Sequence, residues 1–324
     1  MKMIVKEREV PLTILKLEAL LRRISAQHPK RPEIEKDLAR RRAGLRGEES
    51  LDYYLKELDD QSYSIFHDIR LSLNDYYFQI DTLIISNFFA LIIEVKNISG
   101  TLHLDHSFNQ LIRTKADGTE EGFPDPFSQV DQQKRHLQKW LQQQKLPIIP
   151  IETLVVIANP STIIKTTTNH TPQNQKLCHS VKLIEKINWY TNRYKNEVIS
   201  QKSRRKLHKT LLKMHTSLNI DILRRFEVSR AEIINGINCP KCFYNPIQHI
   251  HGKWHCPKCQ YSSKNAHIQA LEEYGLLIQF SITNQQFRHF THLSSRFVAN
   301  RILRSMSLKQ TGTNKGRVYY LNQP

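Results

Sequence analysis

Residues 75–100, DYYFQIDTLIISNFFALIIEVKNISG, carry two apolar runs separated by a short break. The runs TLIIS and ALIIEV have the length and the β-branched content of neighbouring strands, which predicts a buried hairpin. Asp81 opens the first run, and Glu94 and Lys96 interrupt the end of the second. Burying a charge is costly unless it is paired, so these three residues need a structural or chemical reason.

Two interpretations of these charges stay open. Residues two apart in a strand share a face, so Glu94 and Lys96 point the same way, and a hairpin can bring Asp81 near them. Two converging carboxylates suit Mg²⁺ or Mn²⁺, and a lysine beside them can orient or deprotonate a water for phosphodiester hydrolysis. The alternative is that both acids are strand-end charges in water, with Lys96 as the salt-bridge partner of Glu94. The spacing D-x12-E-x-K does not decide between them.

The charge balance indicates a polyanionic partner. The 324 residues include 48 Lys and Arg against 30 Asp and Glu, a formal net charge of +18. This excess predicts contact with nucleic acid or an anionic membrane surface, although a generally basic surface is the simpler alternative. No run reaches the roughly 18 apolar residues that span a bilayer, and MKMIVKEREVPL is too charged for a secretory signal. We therefore expect a cytoplasmic protein without a membrane partner.

The order of the predicted elements favours an α/β fold. We expect helices at 11–24, at 33–44 with Gly44 as its end, and at 48–58, then a strand at 63–73 before the hairpin. After the hairpin we expect a strand in TLHLD, a polar loop at 116–126, a helix at 127–144 and a buried strand in IETLVVIANP. Helices and strands in this order predict a mixed sheet flanked by helices. The segment SRRKLHKTLLKMHTS, residues 203–217, predicts a basic linking helix.

Four pieces of the first half resemble one known family. They are AGLRGEESL at 43–51, QIDTLIIS at 79–86, IIEVKNISG at 92–100 and DPFSQV at 125–130. Their order and spacing resemble the nuclease-related domain family (NERD), a branch of the PD-(D/E)XK nuclease superfamily. The resemblance covers residues 40–145, and the segment before it resembles the leader of such proteins from Gram-positive bacteria.

The resemblance implies a restriction-endonuclease-like core and assigns roles to five residues. Asp81 and Glu94 match the metal-binding acids and Lys96 matches the catalytic lysine. Glu48 matches an acid on the first core helix, and Gln129 matches a glutamine on the later helix near the same pocket. Without the resemblance, Glu48 is an acid near a helix start, favoured by the helix dipole, and Gln129 is a polar residue on an exposed helix face.

One position departs from the family pattern. Asp125 stands before the proline of DPFSQV, where the family is expected to have Asn. The departure bears on the local loop cap and leaves the predicted metal site unchanged.

Two cysteine pairs predict a zinc ribbon. The stretch CPKCFYNPIQHIHGKWHCPKC has the spacing C-x2-C-x13-C-x2-C, with the four ligands Cys239, Cys242, Cys256 and Cys259. Two such turns can complete a tetrahedron of thiolates around one zinc ion, with free or redox-active thiols as the alternative. A site with four thiolates has no open position, so its expected role is in folding and not in catalysis.

The last 62 residues predict a small winged-helix-like domain. Three candidate helices are followed by the turn TGTNKG between short strands, an arrangement typical of helices that enter a DNA groove. The expected nucleic-acid contacts lie on the third helix and in the wing: Arg296, Asn300, Arg301, Arg304, Lys315 and Arg317. The alternative is a small helical domain with a solvated basic face, or one that binds protein.

Five segments are expected: an N-terminal helical leader (1–39), a nuclease-like domain (40–200), a basic helical linker (201–236), a zinc ribbon (237–262) and a winged-helix-like domain (263–324). The expected function is that of a bacterial, Mg²⁺- or Mn²⁺-dependent nuclease acting on nucleic acid, with DNA favoured over RNA. The alternatives are a catalytically silent DNA-binding or DNA-maintenance protein that keeps the fold, and a scaffold or anionic-membrane role. The oligomeric state is not predicted.

Overall fold

The computed structural model describes residues 3–105, 107–166 and 174–322, and the side chains of Asn174 and Lys315 lie outside the described part. The chain forms two compact units. The first unit contains Met1–Val10 with Arg40–Ser217, and the second contains Pro11–Ala39 with Leu218–Pro324. Each unit therefore contains one piece from the beginning of the chain and one longer later piece.

The strands, in chain order, are β1 (Ile4–Lys6), β2 (Ser64–Leu73), β3 (Tyr76–Ile85), β4 (Ala90–Lys96), β5 (Thr101–Asp105), β6 (Gln110–Thr114), β7 (Glu120–Pro124), β8 (Ile151–Ile157), β9 (Ile163–Thr166), β10 (Leu177–His179), β11 (Gln248–Ile250), β12 (Lys253–His255), β13 (Ser262–Ser263), β14 (Ser281–Thr283), β15 (Lys309–Thr311) and β16 (Val318–Tyr320). The helices are α1 (Leu12–Arg23), α2 (Arg31–Leu55), α3 (Pro126–Gln143), α4 (Leu183–Arg193), α5 (Gln201–Met214), α6 (Ile222–Arg225), α7 (Ala266–Leu277), α8 (Asn284–Thr291) and α9 (Arg296–Ser305).

The first unit is built on a mixed six-stranded sheet in the order β1-β2-β3-β4-β8-β10. β2, β3 and β4 pair antiparallel, whereas β1, β8 and β10 join parallel to their neighbours. The inner strands β4 and β8 are apolar along most of their length because helices cover both faces. α3 and α5 pack on one face, and α4 with the end of α2 packs on the other. The mixed sheet flanked by helices is confirmed.

A second sheet in the first unit was not expected. It has the order β7-β6-β5-β9, and β7 lies within the segment predicted as a polar loop at 116–126. That prediction was wrong for residues 120–124, because pairing across the hairpin outweighs their polar composition. Arg113 and Lys115 form salt bridges with Glu121 of the facing strand. Leu111 of β6 packs into a cluster with Phe127 of α3.

The predicted break at Gly44 is also wrong, since α2 runs without interruption through Gly44 and Gly47. A Cβ added to Gly47 would lie 2.4 Å from the Cβ of Asn97, whereas nothing lies within 4 Å of one added to Gly44. The Asn97 side chain donates to the carbonyl oxygen of Ala43 at 2.7 Å. Gly47 therefore allows the segment after β4 to approach the helix closely, and it does not end the helix.

The basic helix α5 lies in the first unit, within the segment expected to be a linker. Leu207 and Leu211 of α5 are buried in the same cluster as Phe66 of β2 and Trp140 of α3. Arg204 donates to the carbonyl oxygen of Ser62 at 2.9 Å. Whether the five segments drawn from the sequence fold separately stays a prediction.

The second unit contains two small three-stranded sheets, ordered β11-β12-β13 and β14-β16-β15, and one core that joins them to α7, α8 and α9. The three helices and the hairpin expected in the tail are present, and β14 is an additional strand. The leader helix α1 contacts α7 through a buried ion pair, in which Arg23 Nε donates to Glu273 Oε2 at 2.6 Å. No helix among the described residues is both long enough and apolar enough to cross a membrane.

The two glycines of α2 should respond oppositely to alanine. Gly47→Ala should lower the free energy of unfolding by roughly 1–3 kcal/mol, because the new methyl group overlaps Asn97. Gly44→Ala should raise it by roughly 0.5–1 kcal/mol, because the exposed site has room and alanine favours a helix. Urea unfolding followed by circular dichroism measures both. Equal effects of the two substitutions would contradict the close approach at Gly47.

Candidate functional site

The central charged residues lie where strands β3 and β4 separate. The ladder between them ends with the pair Thr82 and Ile93. Beyond that pair, Asp81 Oδ2 accepts a hydrogen bond from the backbone N–H of Val95 at 3.0 Å. The side chain thus takes the place of a backbone acceptor, which leaves the carboxylate at the point where the strands diverge. Glu94 is the next residue of β4 after this last pair.

Glu94 is the centre of a hydrogen-bond network between β4 and α3. Its side chain is 4% exposed. Oε1 accepts from Lys96 Nζ at 2.8 Å and from Gln129 Nε2 at 2.7 Å, and Oε2 accepts from Gln133 Nε2 at 2.9 Å. Lys96 Nζ also donates to Gln129 Oε1 at 2.8 Å. The salt bridge of the strand-end interpretation is therefore present, but its acid is buried and not in water.

The start of α3 brings its glutamines to this network. Asp125 caps the helix, because its side chain accepts from the backbone N–H groups of Phe127 at 3.2 Å and Ser128 at 2.9 Å. An aspartate in this place is favoured both as a cap and by the helix dipole. Gln133 was not anticipated from the sequence. Its position four residues after Gln129 was the available signal, since such residues share a helix face.

Glu48 lies on α2 and binds Arg8, a residue that the sequence motifs did not single out. Arg8 Nη1 donates to Glu48 Oε2 at 2.7 Å, and Nη2 donates to Asp52 Oδ1 at 3.0 Å. Arg8 Nη2 also lies 2.8 Å from Nδ1 of the buried His67. The Arg8 side chain is only 6% exposed. The acids at positions 48 and 52, one helical turn apart, were the signal for a shared cation.

The carboxyl groups of the site repel one another. Burial raises the pKa of Glu48 to about 7, with Arg8 opposing the shift and Glu94 adding to it. Burial also raises the pKa of Asp81 above its ordinary value, and repulsion from Glu94 and Glu48 adds to that shift. Carboxyl groups with raised pKa values near one another favour the binding of a cation, because the cation lowers the cost of keeping them ionised.

The donor chemistry fits Mg²⁺ or Mn²⁺, since Glu48, Asp81 and Glu94 supply only oxygen. Their spacing is wider than that of a compact metal cluster. In the described part of the chain, the four cysteines are the one group of three or more His, Cys, Asp or Glu residues whose ligand atoms all lie within 4.8 Å of one another. Several carboxylate oxygens also accept hydrogen bonds from side chains. Both oxygens of Glu94 accept from Lys96 or the two glutamines of α3, and one oxygen of Glu48 accepts from Arg8.

The two cysteine turns of the second unit have the same backbone geometry. The N–H of Phe243 donates to the carbonyl oxygen of Cys239 at 2.9 Å, and the N–H of Gln260 donates to that of Cys256 at 3.0 Å. Phe243 and Gln260 both have positive φ, at 58° and 59°. Each turn therefore presents its two thiols from one tight loop.

The four sulfur atoms meet in a compact cluster. Cys239 Sγ lies 3.6 Å from Cys259 Sγ, and Cys242 Sγ lies 3.6 Å from Cys256 Sγ. Thiolates that bind a tetrahedral zinc ion at about 2.3 Å lie about 3.8 Å from one another, so the cluster is compatible with a zinc ribbon. The buried Trp254 of β12 belongs to the same hydrophobic core of the second unit as Cys239 and Cys256.

Four of the six residues expected to contact nucleic acid share one surface. Arg296, Asn300, Arg304 and Arg317 line one open cleft in the second unit, together with Arg288 of α8. Arg301 is exposed and does not line that cleft. Lys315 was also predicted as a contact, and its side chain lies outside the described part of the chain.

Comparison with known proteins identifies the class of the first unit's central part. The family model described as nuclease-related domain (NERD) matches residues 43–158. The resemblance found in the sequence motifs is confirmed over this range, which contains Glu48, Asp81, Glu94, Lys96 and Gln129. A search of curated proteins finds no match to the chain. Residues 43–158, within the mixed α/β first unit, are therefore similar to nuclease-related domains, and the second unit has a cysteine cluster compatible with a zinc ribbon.

Removing the Arg8 guanidinium should destabilise the first unit. Arg8→Gln leaves Glu48 and Asp52 without their cation, so we expect the free energy of unfolding to fall by about 3 kcal/mol. Lys182→Gln is the control, because Lys182 and Glu185 form an exposed pair and its loss should have little effect. Urea unfolding compares the two variants. Equal stability losses would contradict a special role of the Arg8 contacts in the fold.

Zinc content should depend on the cysteine cluster alone. The purified protein should contain one zinc ion per chain by atomic absorption, and Cys256→Ser should lose it together with the native near-ultraviolet circular dichroism of the second unit. Cys178→Ser is the matched control, since Cys178 is a buried cysteine of the first unit outside the cluster. Zinc-free wild-type protein that keeps the same fold would contradict a structural zinc site.

Proposed function

We propose that the protein is a metal-dependent nuclease that hydrolyses phosphodiester bonds in nucleic acid, with DNA as the favoured substrate. The observation that carries the proposal is the buried network in which Glu94 joins Lys96 and Gln129 beside Asp81, at the end of β4. It lies in the part of the chain that is similar to nuclease-related domains. We place the protein in the cytoplasm, where cysteines that bind zinc stay reduced.

Asp81 and Glu94 would hold Mg²⁺ or Mn²⁺, and Glu48 would complete the set of acidic ligands. The ion, when bound, supplies Lewis-acid polarisation of the phosphate and neutralises charge that develops on it. Burial and, after it, repulsion from Glu94 and Glu48 raise the pKa of Asp81, which supports this assignment because the carboxyl groups ionise more readily beside a cation.

Lys96 would position the attacking water and stabilise negative charge on the phosphate. Its ammonium group has three donors, and two of them are directed to Glu94 Oε1 and Gln129 Oε1. The third donor and the partly exposed position of the side chain, at 22%, allow a further contact with water or a phosphate oxygen. Gln129 and Gln133 would act as positioning residues, because they hold the carboxylate of Glu94 in place.

A second candidate function is nucleic-acid binding without turnover. The three side-chain donors to Glu94 and the Arg8–Glu48 salt bridge favour it, because carboxylates that are already paired bind a cation less readily. Both candidates share nucleic acid as the partner, in keeping with the formal net charge of +18.

Cleavage assays separate the two functions. With Mg²⁺ or Mn²⁺, the wild-type protein should cleave at least one of single-stranded DNA, double-stranded DNA and RNA. Asp81→Asn and Lys96→Met should each lower the rate by about 100-fold or more, as expected for removal of a group that stabilises transition-state charge. Asp75→Asn, in the exposed turn before β3, is the matched control and should leave the rate unchanged.

Two results would overturn the nuclease assignment. One is the absence of cleavage by the wild-type protein with every nucleic acid and both metals. The other is cleavage that persists in the Asp81→Asn and Lys96→Met variants, since it would come from another site or from a contaminant.

A further inference from the structure

The end of the chain has an unusual charge composition. After Glu273, residues 274–324 contain seven Lys and Arg and no Asp or Glu. Among the described salt bridges, none involves Arg288, Arg296, Arg304 or Arg317. Arginines without carboxylate partners repel one another where they converge, so an anion bound among them would stabilise the arrangement.

Four of these arginines converge on one surface, which we call the basic cleft. It has a volume of about 390 Å³ and is open to solvent. Its arginines come from α8 (Arg288), α9 (Arg296 and Arg304) and the residue just before β16 (Arg317). Planar guanidinium groups bind phosphate oxygens through paired hydrogen bonds, which makes a phosphate group the fitting ligand.

Part of the basic cleft is held in place by neighbouring groups. Arg288 Nε donates to Asn284 Oδ1 at 3.2 Å, and its Nη1 donates to the carbonyl oxygen of Ser294 at 3.3 Å. Asn300 Oδ1 accepts from the Tyr319 hydroxyl at 3.2 Å. Side chains that are already oriented lose less conformational entropy when a ligand binds.

A second side of α9 carries what we call the aromatic ridge, formed by Phe297 and Arg301. Phe297 is 85% exposed, the largest exposure among the large hydrophobic residues of the described chain. Arg301 follows four residues later, so both lie on the same side of the helix. An exposed aromatic ring beside arginines offers a stacking surface for a nucleic-acid base.

We propose that the second unit binds single-stranded nucleic acid, with backbone phosphates in the basic cleft and an unpaired base stacked on Phe297. A base inside a duplex is already stacked on both faces, so a ring on a protein surface favours an unpaired base. The proposal shares with the proposed function only the identity of the ligand as nucleic acid. It concerns binding by a different part of the chain from the carboxylate site.

The test measures binding without cleavage. Full-length protein with Asp81→Asn, in the absence of divalent metal, is titrated into fluorescent 20-nucleotide probes of one sequence, as single-stranded DNA, duplex DNA and single-stranded RNA. Anisotropy should report tighter binding of a single strand than of the duplex, and the DNA and RNA arms identify the preferred strand. Phe297→Ala should weaken single-strand binding by about tenfold, as expected for the loss of one stacked base.

The matched control for the aromatic ridge is Phe108→Ala, which removes another exposed phenylalanine, 78% exposed, in the first unit. It should leave binding unchanged.

For the basic cleft, the pair Arg296→Ala and Arg304→Ala should weaken binding of every probe and reduce the slope of log affinity against log salt by about two. Circular dichroism should show native folding, because both arginines are exposed.

The matched charge control is the pair Arg224→Ala and Lys241→Ala, which removes two exposed positive charges of the second unit outside the basic cleft. An equal loss of affinity in this pair would show that the effect comes from net charge alone, and it would overturn the assignment of the cleft.

Equal binding of duplex and single strand, unchanged by Phe297→Ala, would overturn the stacking role. Binding of no probe would overturn the proposal as a whole. Wild-type protein that binds as expected but does not cleave would contradict only the nuclease assignment.

Discussion

The buried carboxylate of Glu94 is the constraint on which the rest of the candidate site depends. An ionised acid placed between a sheet and a helix costs several kcal/mol unless donors surround it. Lys96 from the same strand and Gln129 and Gln133 from α3 provide those donors. The requirement sets the position of α3 against the end of β4. The same contacts hold Lys96, the predicted catalytic lysine, beside the acid.

The two units differ in the sign of the charged side chains that they bring together. The first unit gathers Glu48, Asp52, Asp81 and Glu94 in one region, and Arg8 compensates part of their charge from a segment far away in sequence. The second unit pairs its buried Arg23 with Glu273, and in the described part of the chain no salt bridge joins an arginine of the basic cleft to an acid. A region of clustered acids and a region of unpaired arginines suit a cation and a polyanion respectively.

Local composition was a poor guide where packing between distant segments outweighs it. The glycines of α2 are typical of a helix end, yet the helix continues through both, and Gly47 makes room for Asn97. Residues 120–124 have loop-like composition, yet they form β7 through pairing with β6 and through ion pairs to Glu121. Propensity differences of about 1 kcal/mol per residue are smaller than the contacts that such packing provides.

The sequence by itself determined the strands β3 and β4, the acids and lysine at their ends, the spacing of the four clustered cysteines and the order of helices in the tail. Apolar periodicity and short-range spacing express these features directly, because they depend on residues close together in the chain. Only the tertiary structure decided that Arg8 and Gln133 belong to the site, and that Arg301 lies apart from the basic cleft. Those relations join residues that are up to 59 positions apart, or they depend on which side of a helix faces a neighbour. No local pattern encodes either.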